Sequence, residues 1–167
     1  FLTRIARQES GIRQFDSGGA PVFGSPNGWG LMQLDPPPGS SEIWSWWANV
    51  DAGKAVVNQK NAELTPTWNT RVSEWNSWNQ AHPNQQVPAP SPRQEANCEF
   101  SWVGGGSGTE ATKSFRDACW IKRYNGASGG DYLIWDDFTD PNNPTWAFRP
   151  INHLGENYVN LVCSRLP

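Results

Sequence analysis

The sequence predicts a mainly α fold with some α+β character, in which helices carry the core and a small, irregular β element and long loops fill the rest. Three observations predict it. Apolar residues recur at helical spacing in five stretches, whereas strict alternation is confined to short runs. Hydrophobic residues make up 37% and charged residues 17%, and Gly, Pro, Asn and Ser take the difference, which marks a loop-rich chain. A length of 167 residues suits one domain over 1–167 and would cramp two.

Leu2, Ile5, Ala6 and Glu9 fall at i, i+3, i+4 and i+7, so 1–10 reads as a helix that Gly11 stops. Glu9 then shares the apolar face, where desolvation would raise its pKa. Residues 12–29 read as a loop. Gly30–Leu34 is a short apolar run that Pro36, Pro37 and Pro38 keep from extending into a long helix. A helix is expected over 40–64, capped by Ser40 or Ser41, with Gly53 interrupting its period, and another over 67–81. Residues 83–97 hold four prolines and read as a loop insertion. A short strand is expected at 98–103, a flexible glycine loop at 104–108 and a helix over 109–124. The region 125–150 reads as loop with a short strand at 132–135, and 151–164 as a final helix.

A net charge of −3 with no Lys/Arg run argues against nucleic acid as a partner. It also supplies no long-range attraction to an anionic cell wall, so recognition of one would rest on stacking and hydrogen bonds. No stretch of 18 apolar residues offers a membrane span. Cys98, Cys119 and Cys163 lack CxxC spacing, and His82 and His153 are isolated, so neither a metal site nor any cofactor is expected. One bridge with a free thiol, paired Cys98–Cys119, and three reduced thiols are both open. The 11 Trp are numerous enough to build a core and still leave rings for stacking on sugars. At least one ring of the Trp44, Trp46 and Trp47 group should be exposed.

Glycoside cleavage needs a protonated carboxylic acid at the leaving oxygen. Glu9-Ser10 supplies one, and Gly30-Leu31-Met32-Gln33 follows about twenty residues on. Together these resemble the lysozyme-like lytic transglycosylases and goose-type lysozymes, whose pattern is a helix ending in Glu-Ser, a polar loop, then Gly-Leu-Met-Gln and prolines. Asn49-Val50-Asp51-Ala52-Gly53 resembles the next helix of that family, and Arg123-Tyr124-Asn125-Gly126 partly matches its later Ala-Tyr-Asn-Ala-Gly motif. The resemblance implies a helical bundle around a central helix. It implies Glu9 as general acid, Met32 and Gln33 lining the cleft, Tyr124 setting the acid's pKa and Asn125 on an N-acetyl group. Ser25 lies near the family's loop serine, one residue out of step. Against these roles stand plainer ones: core packing for Leu31, Met32 and Tyr124, and a turn for Ser25.

The outcome depends on a second carboxylate, which holds water or attacks the sugar. Asp16 is the candidate taken as catalytic; Asp35, Asp131, Asp136 and Asp137 are others, and Asp51 should face outward. The resemblance implies a muramidase that hydrolyses the β-1,4 bond between N-acetylmuramic acid and N-acetylglucosamine. The alternatives are a lytic transglycosylase that forms a 1,6-anhydro product and a non-catalytic peptidoglycan-binding module. The partners implied are peptidoglycan glycan strands, at the bacterial cell wall or periplasm. The abrupt opening without Met suggests a fragment of a longer protein, secreted or delivered, from a phage lysin, a tail-associated enzyme or an effector toxin. An effector would add an immunity protein or delivery machinery as partners.

Overall fold

The computed structural model describes residues 1–103, 113–126 and 130–166. In chain order the elements are α1 (Leu2–Ser10), β1 (Phe23–Gly24), β2 (Gly28–Trp29), α2 (Ser40–Trp44), α3 (Trp46–Ala81), β3 (Arg93–Glu95), β4 (Cys98–Ser101), β5 (Lys113–Ser114), α4 (Phe115–Tyr124), β6 (Leu133–Asp136), β7 (Thr145–Phe148) and α5 (Tyr158–Ser164). The result is a mixed α+β fold in which helices outweigh strands. The backbone contacts divide into two compact units, one of Phe1–Gln59 with Leu161–Pro167 and one of Lys60–Asn160.

In the first unit, α1 ends where the sequence places its stop. Gly11 sits at φ 66°, and its amide reaches back to the Ala6 and Arg7 carbonyls. That left-handed geometry is open to glycine at little cost. The buried side of this unit holds Ile5, Ala6, Leu31, Met32, Leu34, Val162 and Cys163. Two arginines fasten α1 to the chain's last residues: Arg4 donates to the Cys163 carbonyl at 2.9 Å and Arg165 to Gln8 at 2.9 Å. Strands β1 and β2 pair antiparallel, Phe23 opposite Trp29 and Gly24 opposite Gly28, inside the stretch expected to be loop.

The expected helices over 40–64 and 67–81 are arranged differently. The break falls at Ser45, in extended geometry with φ −127°, and its Oγ accepts the Ala48 amide at 3.4 Å as a cap for α3. Gly39, rather than Ser40 or Ser41, precedes α2. Beyond Ser45 a single helix of 36 residues continues through Pro66 without a break. Proline's φ is already helical, and what it forfeits is one hydrogen bond. Ala62 and Pro66 are both exposed, so water can serve the released carbonyl.

In the second unit, β3 pairs antiparallel with β4, and β4 pairs parallel with β5, while β6 and β7 form a separate hairpin with Trp135 opposite Trp146. The expected loop 83–97 therefore ends in a strand. Helix α4 starts at Phe115 rather than 109, because Ser114 and Asp117 form a capping box. The expected glycine loop 104–108 and residues 109–112 lie outside the described residues. The last helix starts at Tyr158 rather than 151. Asn152 holds the preceding segment in a loop by accepting the Leu154 and Glu156 amides, and Asn157 accepts the Asn160 amide at 3.0 Å as the helix opens.

Among the described residues of this unit, two carboxylates are buried. Asp131 is 3% exposed and pairs with Arg71 at 2.7 Å and with both nitrogens of the Arg123 fork. Glu95 is 4% exposed and accepts from Arg93, Asn157 and the Tyr132 hydroxyl. Cys119 is the free, buried cysteine, and Cys98 and Cys163 are disulfide-bonded, which overturns a Cys98–Cys119 bridge.

Burial works against the charge of Asp131, but the Arg123 hydrogen bonds and the Arg71 charge outweigh it and hold its carboxyl below the ordinary value. The native state therefore binds its proton less readily than the unfolded chain. The stabilisation is present above the ordinary carboxylate pKa, roughly 3.9, and is lost as pH falls through the lower native value. Asp131→Asn should destabilise the protein in urea by about 3 kcal/mol at pH 7, by leaving two arginines half-paired, and by much less at pH 2. Burial also pushes the Cys119 thiol up to about 12, with the Asp131 charge adding to it. Iodoacetamide at pH 8 should therefore label Cys119 only in unfolded protein, which peptide mass mapping reads directly.

Candidate functional site

The site of interest is built around the turn that begins at Gly30, inside the first unit. Its backbone is buried, so every amide and carbonyl in it needs a partner. Three polar side chains supply those that the backbone does not meet in the middle of the turn. The Ser10 hydroxyl, directly after Glu9, donates to the Leu31 carbonyl at 2.8 Å and accepts the Arg13 amide at 3.1 Å. Gln14 Oε1 accepts the Leu31 amide at 2.9 Å, and its Nε2 donates to the Ile43 carbonyl at 2.7 Å. Asn49, wholly buried, accepts the Met32 amide at 2.8 Å and donates to the Trp29 and Glu42 carbonyls, both at 3.0 Å. Gly30 is the residue this leaves room for. Its φ is +72°, and a Cβ there would run into both the Asn49 and the Gln14 amides.

Glycine also decides how closely α3 approaches. A Cβ at Gly53 would stand 2.5 Å from Met32 Cγ. Gly53 does not break the helix; it is the spot where the helix accepts Met32. Met32 is 0% exposed, so its side chain holds the turn from behind and contributes only to the inner wall of the groove beside it. Gln33 stands at φ 49°, half-buried, with its amide lying against Gly24 and Gly28 and donating to the Gly30 carbonyl at 2.8 Å.

Beside this turn runs an open groove of about 490 Å³, lined by Leu2, Ala6, Ile12, Phe15, Val50 and Trp46 among others. Leu2 and Ala6 lie on the stripe of α1 that carries Glu9, one turn further on. Glu9 itself is half-buried. The same unit is rich in exposed rings. Trp44, Trp46 and Trp47 are 62%, 48% and 63% exposed, and Trp46 stacks on Trp47 at 4.3 Å. Phe23 is 54% exposed and leans on Trp29. Such rings can receive the apolar faces of sugars.

Several of the other expected site residues have structural occupations. Asp16 is exposed, and its Oδ1 accepts the amides of Gly18 and Ala20 at 2.8 and 3.0 Å, closing its own loop. Ser25 is exposed in the three-residue connection between β1 and β2. Asp35 and Asp51 are exposed. In the second unit, Tyr124 is half-buried at the end of α4, and Asn125 Oδ1 accepts from Asn152 at 3.0 Å. There Asp131 belongs to its arginines, and Asp136 accepts the Phe138 and Thr139 amides in a turn. The described residues contain no cluster of His, Cys, Asp and Glu fit to hold a metal, and no helix among them is long and apolar enough to cross a membrane.

Sequence reasoning missed Gln14, which lies in an apparent loop with no periodicity to mark it. Asn49 was noticed only as part of a motif; an Asn on the buried face of a helix is a signal in itself, since it must be hydrogen-bonded there. Asn49→Asp should keep the bond from the Met32 amide but turn an acceptor towards the Trp29 and Glu42 carbonyls. The expected loss is on the order of 3 kcal/mol in chemical denaturation, well beyond that of exposed Asn61→Asp. In comparisons with known proteins, no family model, no curated protein and no solved structure matches the chain.

Proposed function

We propose that the protein is a peptidoglycan-cleaving muramidase with Glu9 as its general acid and a lysozyme-like arrangement of helices around the site. The observation that carries this reading is the hydrogen bond from Ser10 to the Leu31 carbonyl. It joins the end of the Glu9 helix to the Gly30–Gln33 run, the two segments on which the family resemblance rests. Glu9 follows Leu2 and Ala6 at helical spacing, and those two residues line the groove together with the exposed Trp46, a ring suited to sugars. In the reaction the protonated Glu9 carboxyl gives its proton to the bridging oxygen as the C1–O bond breaks. Water adds to C1, and its proton restores the acid.

A second reading, a lytic transglycosylase, is favoured by one observation: the Asp16 carboxylate is already engaged by the amides of its own loop. The muramic 6-hydroxyl would then add to C1, pass its proton to the Glu9 carboxylate and leave a 1,6-anhydro end without consuming water.

Glu9→Gln should lower the rate of clearing of a peptidoglycan suspension by about 10³-fold, the scale of one general acid, with unchanged circular dichroism. Equal rates for wild type and variant would remove Glu9 from the chemistry. Mass spectrometry of the digest separates the two readings: reducing muramic ends mark hydrolysis, and ends lighter by one water mark transglycosylation. Asp16→Asn belongs in the same experiment; an undiminished rate means that Asp16 serves its loop and not the reaction.

A further inference from the structure

The second unit carries a groove that the proposed chemistry does not use. It has a volume of about 630 Å³ and runs along one face of α3 from Trp68 to Gln80, with Trp102 beside the helix. At 1.5 Å per residue this stretch spans roughly 18 Å, enough for a short oligosaccharide. Its polar lining consists of Asn69, Ser73, Asn76, Ser77 and Gln80. All five are exposed. Its apolar lining consists of Trp68, Trp75, Trp102 and Val72.

The composition of this lining selects a ligand. None of the nine residues carries a charge. The two charged residues of the same helical stretch face elsewhere: Arg71 is paired with Asp131, and Glu74 does not line the groove. Among the described residues, the lining offers no charge to hold a phosphate, a carboxylate or an ammonium group. Amides and hydroxyls both donate and accept, which suits a ligand covered in hydroxyls, and flat indoles suit its apolar faces.

The rings are firmly held. Trp102 lies 5.5 Å from Trp68 and 5.3 Å from Trp75, and Trp146 lies 5.1 Å from Trp102. The Trp75 indole N–H is fixed on the Val87 carbonyl at 2.8 Å. Rigid aromatic platforms lose little entropy when a ligand stacks on them.

We infer that the groove of Asn69, Ser73, Asn76, Ser77 and Gln80 with Trp75 and Trp102 binds a neutral pyranose oligosaccharide. This stands apart from the role of Glu9 and does not rest on it. The test is calorimetric titration of the intact protein and its Glu9→Gln variant with chitotetraose, cellotetraose and maltotetraose. At least one should bind, equally well in both proteins. Binding of chitotetraose alone identifies an N-acetylated strand, and binding of cellotetraose as well identifies any β-1,4 glycan. Trp102→Ala should weaken binding about tenfold, the loss of one stacking surface. The double substitution Asn69→Ala/Asn76→Ala alters only exposed side chains, so it should fold, and it should weaken binding by about tenfold as well. Absence of binding by all three sugars, or affinity unchanged in the double variant, overturns the assignment.

Discussion

A buried turn without regular secondary structure must borrow its hydrogen bonds, and that requirement organises the whole first unit. The Leu31 and Met32 amides and the Trp29 and Leu31 carbonyls are all met by side chains. Those side chains come from the end of α1, from the loop after it and from the first turn of α3. Gln14 and Asn49 each bond the turn with one end of their amide and α2 with the other. Such a network is stiff because each lost bond strands a buried partner, and the penalty for stranding exceeds the gain from forming. The position of Glu9 follows from it, since Ser10 is the next residue and cannot leave the Leu31 carbonyl cheaply.

The second unit is stabilised by a different means. Its buried carboxylates each have several donors: Asp131 lies between two arginines, and Glu95 among Arg93, Tyr132 and Asn157. A buried carboxylate with one partner would gain little over an apolar replacement. With several donors the remaining lone pairs are occupied, and directionality is gained. Arg71 joins two places at once: besides its pairing with Asp131, it donates to the Leu133 carbonyl at 3.1 Å, at the start of β6. Lys122 likewise donates to the Arg149 and Ile151 carbonyls from a buried position. Loops rich in Gly, Pro and Asn are thus pinned by long cationic side chains whose sequence positions carry no pattern.

That difference explains what could be read in advance. The α1 boundary was legible because glycine and helical spacing are local signals. The strand at 98–103 and the hairpin strand near 132–135 were legible for the same reason. The two expected helices of 40–81 were divided at the wrong place, because Pro66 looks like a breaker where its neighbours are exposed and water covers the loss, while Ser45 gives only a weak local sign. Of the expected site residues, Met32 and Gln33 lie in the organised turn as neighbours in sequence must, but which of them faces solvent depends on Gly53. Asp16 serves its own loop and Asn125 holds the Asn152 amide of another. A short polar side chain in a loop gives no indication of whether it serves the protein's own groups or a ligand.

Asp16 shows how such a distinction bears on chemistry. A carboxylate that accepts two backbone amides of its own turn is fixed in place. To hold a water over a sugar it would need its free lone pairs directed there while the loop kept its shape; to attack the sugar as a nucleophile it would have to weaken those same bonds as charge left it. The first role tolerates the observed turn, and the second works against it. Under the proposed muramidase reading, a retaining mechanism through Asp16 is therefore the least compatible route, which would leave water held by a fixed carboxylate or the substrate's own hydroxyl. In that reading both would leave the proton transfers to Glu9, whose helix end Ser10 ties to the Leu31 carbonyl.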